Sequence, residues 1–282
     1  MSFPQRVTRS LRISGRLSMA TGLWSIAFAV ALVGPVCAQE TAITIEPRPG
    51  VTMRFLLEAP AKAAGSVILL AGGHGNLDLA EDGRIGWGAG NQLVRTRSLY
   101  ARAGYVTAAM DIASDHKLPG SAVAGYRWSE AHATDIGALV QYLRKVAPPV
   151  YLVGTSRAAL SVANAAVRLS GDARPDAIVV TAGMLMERTS RQPNVQRSVG
   201  ALERVTVPTL LVHHERDECS YTPAADVEPF ARLLTHASTV EVRMLRGGYS
   251  KGAPCEAWGH HGFAGIDGEV VMAVTGWLKS IR

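Results

Sequence analysis

A serine, an aspartate and a histidine are spaced along this chain in a way that would suit nucleophilic catalysis. Ser156 stands in the segment GTSRA, which follows an apolar run and precedes an Ala-rich helical stretch. Asp217 lies 61 residues further on, in HHERDE, and His261 lies 44 residues after that, in HHGF. These are the three residue types that catalysis by an activated serine requires.

The sequence around Ser156 is typical of a sharp strand-to-helix turn. A serine in such a turn is held above the sheet with its hydroxyl exposed, and small flanking residues let the two backbones approach closely. The start of the following helix points backbone amides at the site, which favours a developing anion. The usual sequence of such a serine-bearing turn is G-x-S-x-G, and Ala158 stands where the last glycine is expected. The position of the motif between a strand and a helix makes it informative despite that departure.

With these motifs, the chain resembles the α/β-hydrolase fold family of serine hydrolases over residues 52–281. The order serine, acid, histidine, with the histidine just before the last helix, is that of the family. The resemblance is to compact esterase-like and dienelactone-hydrolase-like members, because no long cap insertion is visible. It implies that Ser156 is the nucleophile, His261 the general base, and Asp217 the residue that orients the imidazole.

Neighbouring residues leave alternatives for two of these roles. Glu215 and Glu218 compete with Asp217 for the place of the acid. His260 competes with His261, which we prefer because it directly precedes Gly-Phe, a common setting for the histidine of the family.

The resemblance also implies an oxyanion hole built from two backbone amides. One is that of Arg157, directly after the nucleophile, whose side chain could bind an anionic substrate group or pair with a nearby acid. The other comes from the loop AGGHG at residues 71–75, where Gly73 is the expected donor and His74 the second choice. An ordinary glycine turn is the alternative. The loop lacks the Gly-Lys-Ser/Thr sequence of a phosphate-binding loop.

Apolar runs alternate with helical stretches along the chain. The pattern predicts strands at 52–58, 66–71, 105–111, 150–153, 177–181, 209–213 and 240–245, and helices at 93–103, 130–145, 156–169 and 269–281. Apolar strands without alternation, separated by helices, indicate a mostly parallel sheet covered on both faces. We therefore expect one α/β-hydrolase domain at 39–282. The Arg-rich stretch 183–204 could be a short insertion over the sheet edge.

The N-terminus has the layout of an export signal. A basic region up to residue 18 is followed by the apolar segment 19–36 and by Val36-Cys37-Ala38, a small-residue cleavage site. We expect residues 1–38 to be a secretory signal peptide cut after Ala38, and the mature protein to be periplasmic or secreted. The alternative is a membrane anchor, since about 18 apolar residues are borderline for spanning a bilayer. No second apolar run of spanning length follows.

Two cysteines remain after such a cut. Cys219 and Cys255 should form a disulfide in an oxidising compartment, and two separate thiols are the alternative. Cys219 lies two residues after Asp217, and Cys255 lies six residues before His261. The bridge would tie the loop that carries the acid to the loop that carries the histidine.

Charge and composition exclude several other functions. The net charge of +6 falls to +2 without the four arginines of the first 38 residues, which removes most of the case for a nucleic-acid binder. We expect a serine hydrolase that acts on a small-molecule carboxylic ester through an acyl-enzyme, with no cofactor and no metal. The alternatives are a serine peptidase or amidase, and a non-catalytic binding protein on the same fold. The sequence does not give the oligomeric state.

Overall fold

A central sheet of eight strands organises the computed structural model, which describes residues 39–117, 125–189 and 192–281. The predicted signal peptide, residues 1–38, lies outside the described residues. The strands are β1 (Thr41–Arg48), β2 (Val51–Glu58), β3 (Ser66–Leu70), β4 (Val106–Met110), β5 (Val150–Thr155), β6 (Ala177–Thr181), β7 (Thr209–His214) and β8 (Val240–Leu245). Their order in the sheet is β1-β2-β4-β3-β5-β6-β7-β8.

The sheet is mostly parallel, as the sequence predicts. Strands β3 to β8 run parallel to one another, whereas β2 pairs antiparallel with both β1 and β4. Every residue of β3, β4, β5, β6 and β7 is buried, because helices cover both faces of this part of the sheet. Strand β1 was not predicted: it lies at the sheet edge, where its side chains are exposed or only half-buried.

Helices pack on both faces of the sheet. They are α1 (Gln92–Arg95), α2 (Arg97–Arg102), α3 (Glu130–Val146), α4 (Ala159–Arg168), α5 (Val227–Ala231) and α6 (Asp267–Ser280). The apolar faces of the two longest helices are buried on opposite sides of the sheet. Ile136, Leu139, Val140 and Leu143 of α3 are fully buried in the core on one face. The apolar face of α6, which includes Trp277, is buried in the core on the other face.

Two predicted elements differ in detail. The helix predicted at 93–103 is two short helices, α1 and α2, which meet at Thr96, and the Thr96 hydroxyl donates back to the carbonyl of Gln92 at 2.7 Å. The segment 183–204 does not cover the sheet edge. It follows β6, an inner strand, and its described part packs against α4, with Val195 fully buried.

The parallel register brings the candidate site together. Gly154 of β5 lies beside Leu70 of β3 and Val180 of β6, so the carboxyl ends of these strands meet at one edge of the sheet. In open α/β sheets, ligands bind outside this edge. Among the described residues, no helix has the length and apolar character needed to cross a bilayer.

Candidate active site

Ser156 occupies a strained turn at the carboxyl end of β5. Its φ of +57° lies in the left-handed region, which a non-glycine residue adopts at a cost in free energy. The strand and helix α4 approach so closely that a Cβ on Gly154 would lie 2.5 Å from a methyl carbon of Val162. A side chain at position 154 would therefore push the turn apart, and this explains why a glycine precedes the serine by two residues.

The structure brings Ser156, His261 and Asp217 into one hydrogen-bonded chain. His261 Nε2 lies 3.0 Å from Ser156 Oγ, and His261 Nδ1 lies 3.0 Å from Asp217 Oδ2. With the proton on Nδ1 donated to Asp217, Nε2 is free to accept the serine proton. The imidazole is almost fully buried and the carboxylate is completely buried, so the contacts are shielded from water.

Two further side chains hold the carboxylate of Asp217. Thr222 Oγ1 donates to Asp217 Oδ2 at 2.9 Å, and His213 Nε2 lies 3.2 Å from the same oxygen. The Cys219 N–H donates to Oδ1 at 2.9 Å. Burial by itself raises the pKa of Asp217, but hydrogen bonds from His213 and His261 outweigh burial and hold that pKa well below its ordinary value. The carboxylate therefore stays charged.

Sequence reasoning missed both of these residues. Neither His213 nor Thr222 is among the candidate residues that the sequence motifs single out. The signal that could have found His213 is its spacing, since it precedes Asp217 by four residues across a tight turn. Thr222 carries no comparable signal: its hydroxyl meets Asp217 only because the loop folds back on itself.

The alternative residues for acid and base lie elsewhere. Glu215 forms an ion pair with Arg246 at 2.6 Å. Glu218 accepts a hydrogen bond from His260 Nδ1 at 3.0 Å, which lowers the pKa of this carboxyl. The ring of His260 stacks on His214 with centroids 4.5 Å apart. Among the described residues, the hydrogen bonds of His261 go to Ser156, Asp217 and Thr222, and that of His260 Nδ1 goes to Glu218.

The glycine loop at 71–75 lies directly beside Ser156. A Cβ on Gly72 would be 3.0 Å from Ser156 Cβ, and Gly73 has a φ of +59° that favours glycine. Among the described residues, the Gly73 N–H has no hydrogen-bond acceptor. Arg157 follows Ser156 at the start of a short 3₁₀ turn, where helix amides have no partner within the helix. Gly73 lines the same cavity as Ser156 and Arg157 directly follows Ser156, and no acceptor among the described residues pairs with either amide.

A cavity of about 320 Å³ opens onto Ser156 and His261. Trp87 and Trp258 form two of its walls, and both are partly exposed. The remaining wall residues are Gly72, Gly73, Gly88, Gly90, Asn91, Gln92, Thr155, Cys255, Glu256, Ala257 and Gly262. A wider groove of about 530 Å³ between α5 and β8 lies open to solvent and shares none of these residues. The smaller cavity is therefore the candidate substrate pocket.

The predicted pairing of Cys219 with Cys255 is present as a disulfide. Cys219 is buried next to Asp217, whereas Cys255 is exposed in the cavity wall. The bridge therefore fastens the loop after β7 to the loop that leads to His261.

The Arg157 side chain is half-buried, and its Nε is buried without a partner. Burial lowers its pKa, and no carboxylate of the described residues pairs with it. Of the two uses that the sequence allows for this side chain, pairing with a nearby acid is not seen. Within residues 39–117, 125–189 and 192–281, no three His, Cys, Asp or Glu side chains are grouped as a metal site.

Comparisons with known proteins place this geometry in a known fold. The chain is similar to the esterase Pf2001 from Pyrococcus furiosus, with a TM-score of 0.60 and 14% identity over 86% of this chain and 93% of that one. It is also similar to an alpha-beta serine hydrolase homologue from Coxiella burnetii, with a TM-score of 0.57 and 16% identity over 84% of this chain and 96% of that one. The chain has the α/β-hydrolase fold.

The α/β-hydrolase fold hosts more than one kind of hydrolysis. An acylaminoacyl peptidase from Pyrococcus horikoshii matches with a TM-score of 0.56 and 11% identity over 86% of this chain, but over only 41% of that one. No protein-family model matches the sequence, and no curated protein does. The fold is thus shown by structure, and the activity has to be argued from the site.

Proposed function

We propose that this chain is a serine hydrolase that cleaves carboxylic esters through a covalent acyl-enzyme. The observation that carries the proposal is the unbroken chain from Ser156 Oγ through both ring nitrogens of His261 to Asp217, with both contacts at 3.0 Å. The strained turn that presents Ser156 and the unpaired amides beside it support the same proposal.

In the first half of the reaction, His261 Nε2 takes the proton of Ser156 as Oγ attacks the carbonyl carbon of the ester. The N–H groups of Gly73 and Arg157 bind the oxyanion of the tetrahedral intermediate, each contributing roughly 3–4 kcal/mol. The intermediate collapses, and the imidazolium gives its proton to the departing alcohol. Asp217, whose carboxylate also accepts hydrogen bonds from His213, Thr222 and the Cys219 N–H, stabilises the imidazolium while it exists.

In the second half, water enters the place of the alcohol. His261 removes a proton from this water, the resulting hydroxide attacks the acyl-enzyme carbonyl, and the same two amides bind the second oxyanion. The carboxylic acid leaves, and Ser156 regains its proton from His261. The residues supply each proton transfer without a cofactor.

An ester is the substrate class that we propose, by analogy with an esterase of the same fold. The similarity to an esterase over nearly the full length of both chains supports this choice. A serine peptidase or amidase is the second candidate, favoured by the similarity to acylaminoacyl peptidase, whose chain is much longer. A non-catalytic binding protein is the third, and the presence of all three catalytic side chains weighs against it.

We also propose export to the periplasm or the medium, with residues 1–38 removed as a signal peptide and 39–282 as the mature enzyme. The order of basic, apolar and small residues in this segment supports the proposal. So does the disulfide, because such bonds persist in oxidising compartments.

Intact-mass spectrometry with a fluorophosphonate probe tests the proposal. We expect one adduct on the wild type, mapped to Ser156, and none on Ser156→Ala, whose fold is checked by circular dichroism. A matched panel of p-nitrophenyl esters and p-nitroanilides of the same acyl groups then separates esterase from amidase. A folded protein that takes no adduct and hydrolyses neither panel would contradict the proposal and favour the binding protein. The same mass reports whether the chain begins at Gln39.

A further inference from the structure

Arg127 is a fully buried cation with no carboxylate partner among the described residues. It lies in the short turn Tyr126–Trp128 that precedes α3. Burial lowers its pKa to about 9, because a charged guanidinium is poorly solvated in the interior. A buried charge without a counter-charge is costly, so its persistence calls for a role that an apolar side chain could not fill.

The guanidinium donates hydrogen bonds to the glycine loop at 71–75 and to α4, the helix that follows Ser156. Arg127 Nη2 lies 2.7 Å from the carbonyl oxygen of Ala71, 3.3 Å from that of Gly73 and 3.4 Å from that of Gly72. On the other side, Nη1 donates to the hydroxyl of Ser161 on α4 at 2.8 Å. One side chain therefore connects the loop that carries Gly73 to α4, the helix that follows the turn of Ser156 and Arg157.

The loop has the shape needed to accept this side chain. A Cβ on Gly75 would lie 2.4 Å from Arg127 Nη2, so a residue with a side chain at position 75 would collide with the guanidinium. The φ of Gly75, +76°, likewise favours glycine. The guanidinium thus occupies the space that a side chain at position 75 would otherwise fill.

The planar, trans geometry of the peptide bond links these contacts to the reaction. Within one peptide group the C=O and the N–H point in opposite directions. Arg127 Nη2 lies 3.4 Å from the Gly72 carbonyl, so the N–H of Gly73, in the same peptide group, points away from the guanidinium. The contact with the Ala71 carbonyl fixes the N–H of Gly72 in the same way. Donation from a cation also polarises the peptide group and strengthens its N–H as a donor.

We infer that Arg127 is a positioning residue that fixes the carbonyls of the 71–73 loop, and thereby aims and strengthens the amide that binds the oxyanion. This inference rests on the proposed function, since it concerns the same reaction. Arg127 does not touch the substrate. It acts through the backbone of Gly72 and Gly73, so its effect belongs to the transition state and the tetrahedral intermediates rather than to the bound ester.

The test compares Arg127→Met and Arg127→Lys with the wild type on p-nitrophenyl butyrate, together with the affinity of an alkyl trifluoromethyl ketone. That ketone forms a tetrahedral oxyanion on the active serine, so its affinity reports the oxyanion hole. For Arg127→Met we expect kcat to fall about 100-fold or more, KM to change less than threefold, and ketone affinity to fall in proportion to kcat. Arg127→Lys should be intermediate, because its ammonium keeps the charge but lacks the planar fork.

Arg144→Met is the matched control. Like Arg127, Arg144 donates hydrogen bonds to backbone carbonyls, those of Asp172 and Arg174. It lies beside the start of β5, at the opposite end of that strand from Ser156. We expect its kcat and ketone affinity to equal those of the wild type even where its melting temperature is lower. All assays run well below the lowest melting temperature of the set.

Each outcome decides the inference. A normal kcat and ketone affinity in folded Arg127→Met would overturn it, and so would a loss that falls on KM alone. If the Met variant does not fold, a Lys variant with unchanged kcat and ketone affinity overturns it. Fluorophosphonate labelling of the wild type separates this failure from failure of the proposed function. An unlabelled wild type that hydrolyses no ester would overturn both.

Discussion

Loss of the disulfide should reduce both stability and activity. The bridge joins Cys219 to Cys255 across a sequence separation of 36 residues. Closing a loop of that size removes conformational entropy from the unfolded chain equivalent to about 4 kcal/mol at 25 °C. In a domain of this length, each kcal/mol corresponds to about 2–4 °C in melting temperature. The double variant Cys219→Ser/Cys255→Ser should therefore melt roughly 8–16 °C below the wild type.

The effect on activity follows from where the two ends of the bridge lie. Cys219 donates its N–H to Asp217, and Cys255 lies in the wall of the cavity that opens onto His261. Arg95 provides a second fastening for the histidine loop, since it donates to the carbonyls of Gly262 at 2.6 Å and of Ala257 at 3.0 Å. We therefore expect kcat/KM to fall by about tenfold rather than to vanish, since a misplacement of the reacting groups by about 1 Å can cost about 100-fold.

Urea unfolding and ester hydrolysis measure both effects on the oxidised protein, the phosphine-reduced protein and the double variant. Complete reduction is verified by a mass gain of 2 Da. The double variant treated with phosphine is the control for the reagent itself. The reasoning is refuted if complete reduction leaves the free energy of unfolding within about 1 kcal/mol of the oxidised value and leaves kcat/KM unchanged.

Three further perturbations have defined outcomes. Thr222→Val removes the hydroxyl that donates to the Asp217 carboxylate, so kcat/KM should fall about tenfold to a hundredfold in steady-state assays. Thr222→Ser keeps the hydroxyl and should keep most activity. Equal activity of the two variants would contradict this prediction. Burial lowers the pKa of His132 well below its ordinary value of 6.5. Below pH 6.5 the unfolded chain therefore binds a proton that the folded chain does not, and the free energy of unfolding decreases as the pH is lowered. In urea unfolding at pH 7.5 and 5.5, His132→Phe should lessen this decrease by about 1.4 kcal/mol in total, and an unchanged difference between the two pH values would disprove the assignment. Gly75→Ala should lower the melting temperature more than Gly50→Ala, because both positions have positive φ but only at Gly75 does the added carbon meet Arg127; equal losses would show that the guanidinium moves aside freely.

The sequence alone determined the parts of this protein that depend on local patterns. The inner strands are short apolar runs between turns, and the boundaries of β6 and β8 agree with those predicted. The apolar face of α3 follows from helical spacing, because residues three and four apart share a side of the helix. The sequence also pointed to Ser156, Asp217 and His261, since each stands directly after a predicted strand or just before the last helix.

Strand β1 is an element that the local sequence pattern does not predict. Its residues are exposed or half-buried, with Ile43 and Ile45 packed against the core, and it pairs as a strand along the edge that β2 offers. Edge pairing depends on a neighbour that the local pattern does not contain. The same holds for the segment 183–204, whose position against α4 depends on the packing of Val195 into a core formed by distant parts of the chain.

Only the tertiary structure decided which side chains support the three central residues. Thr222 and His213 reach Asp217 through the folding of one loop, and Arg127 reaches the carbonyls of Ala71 and Gly73 from more than 50 residues away. No local pattern marks such a residue, because a buried arginine is specified by the space and the acceptors that other segments leave for it. The sequence motifs predict Ser156, Asp217 and His261 from their order and local setting. The side chains that orient these residues depend on the packing of the whole domain.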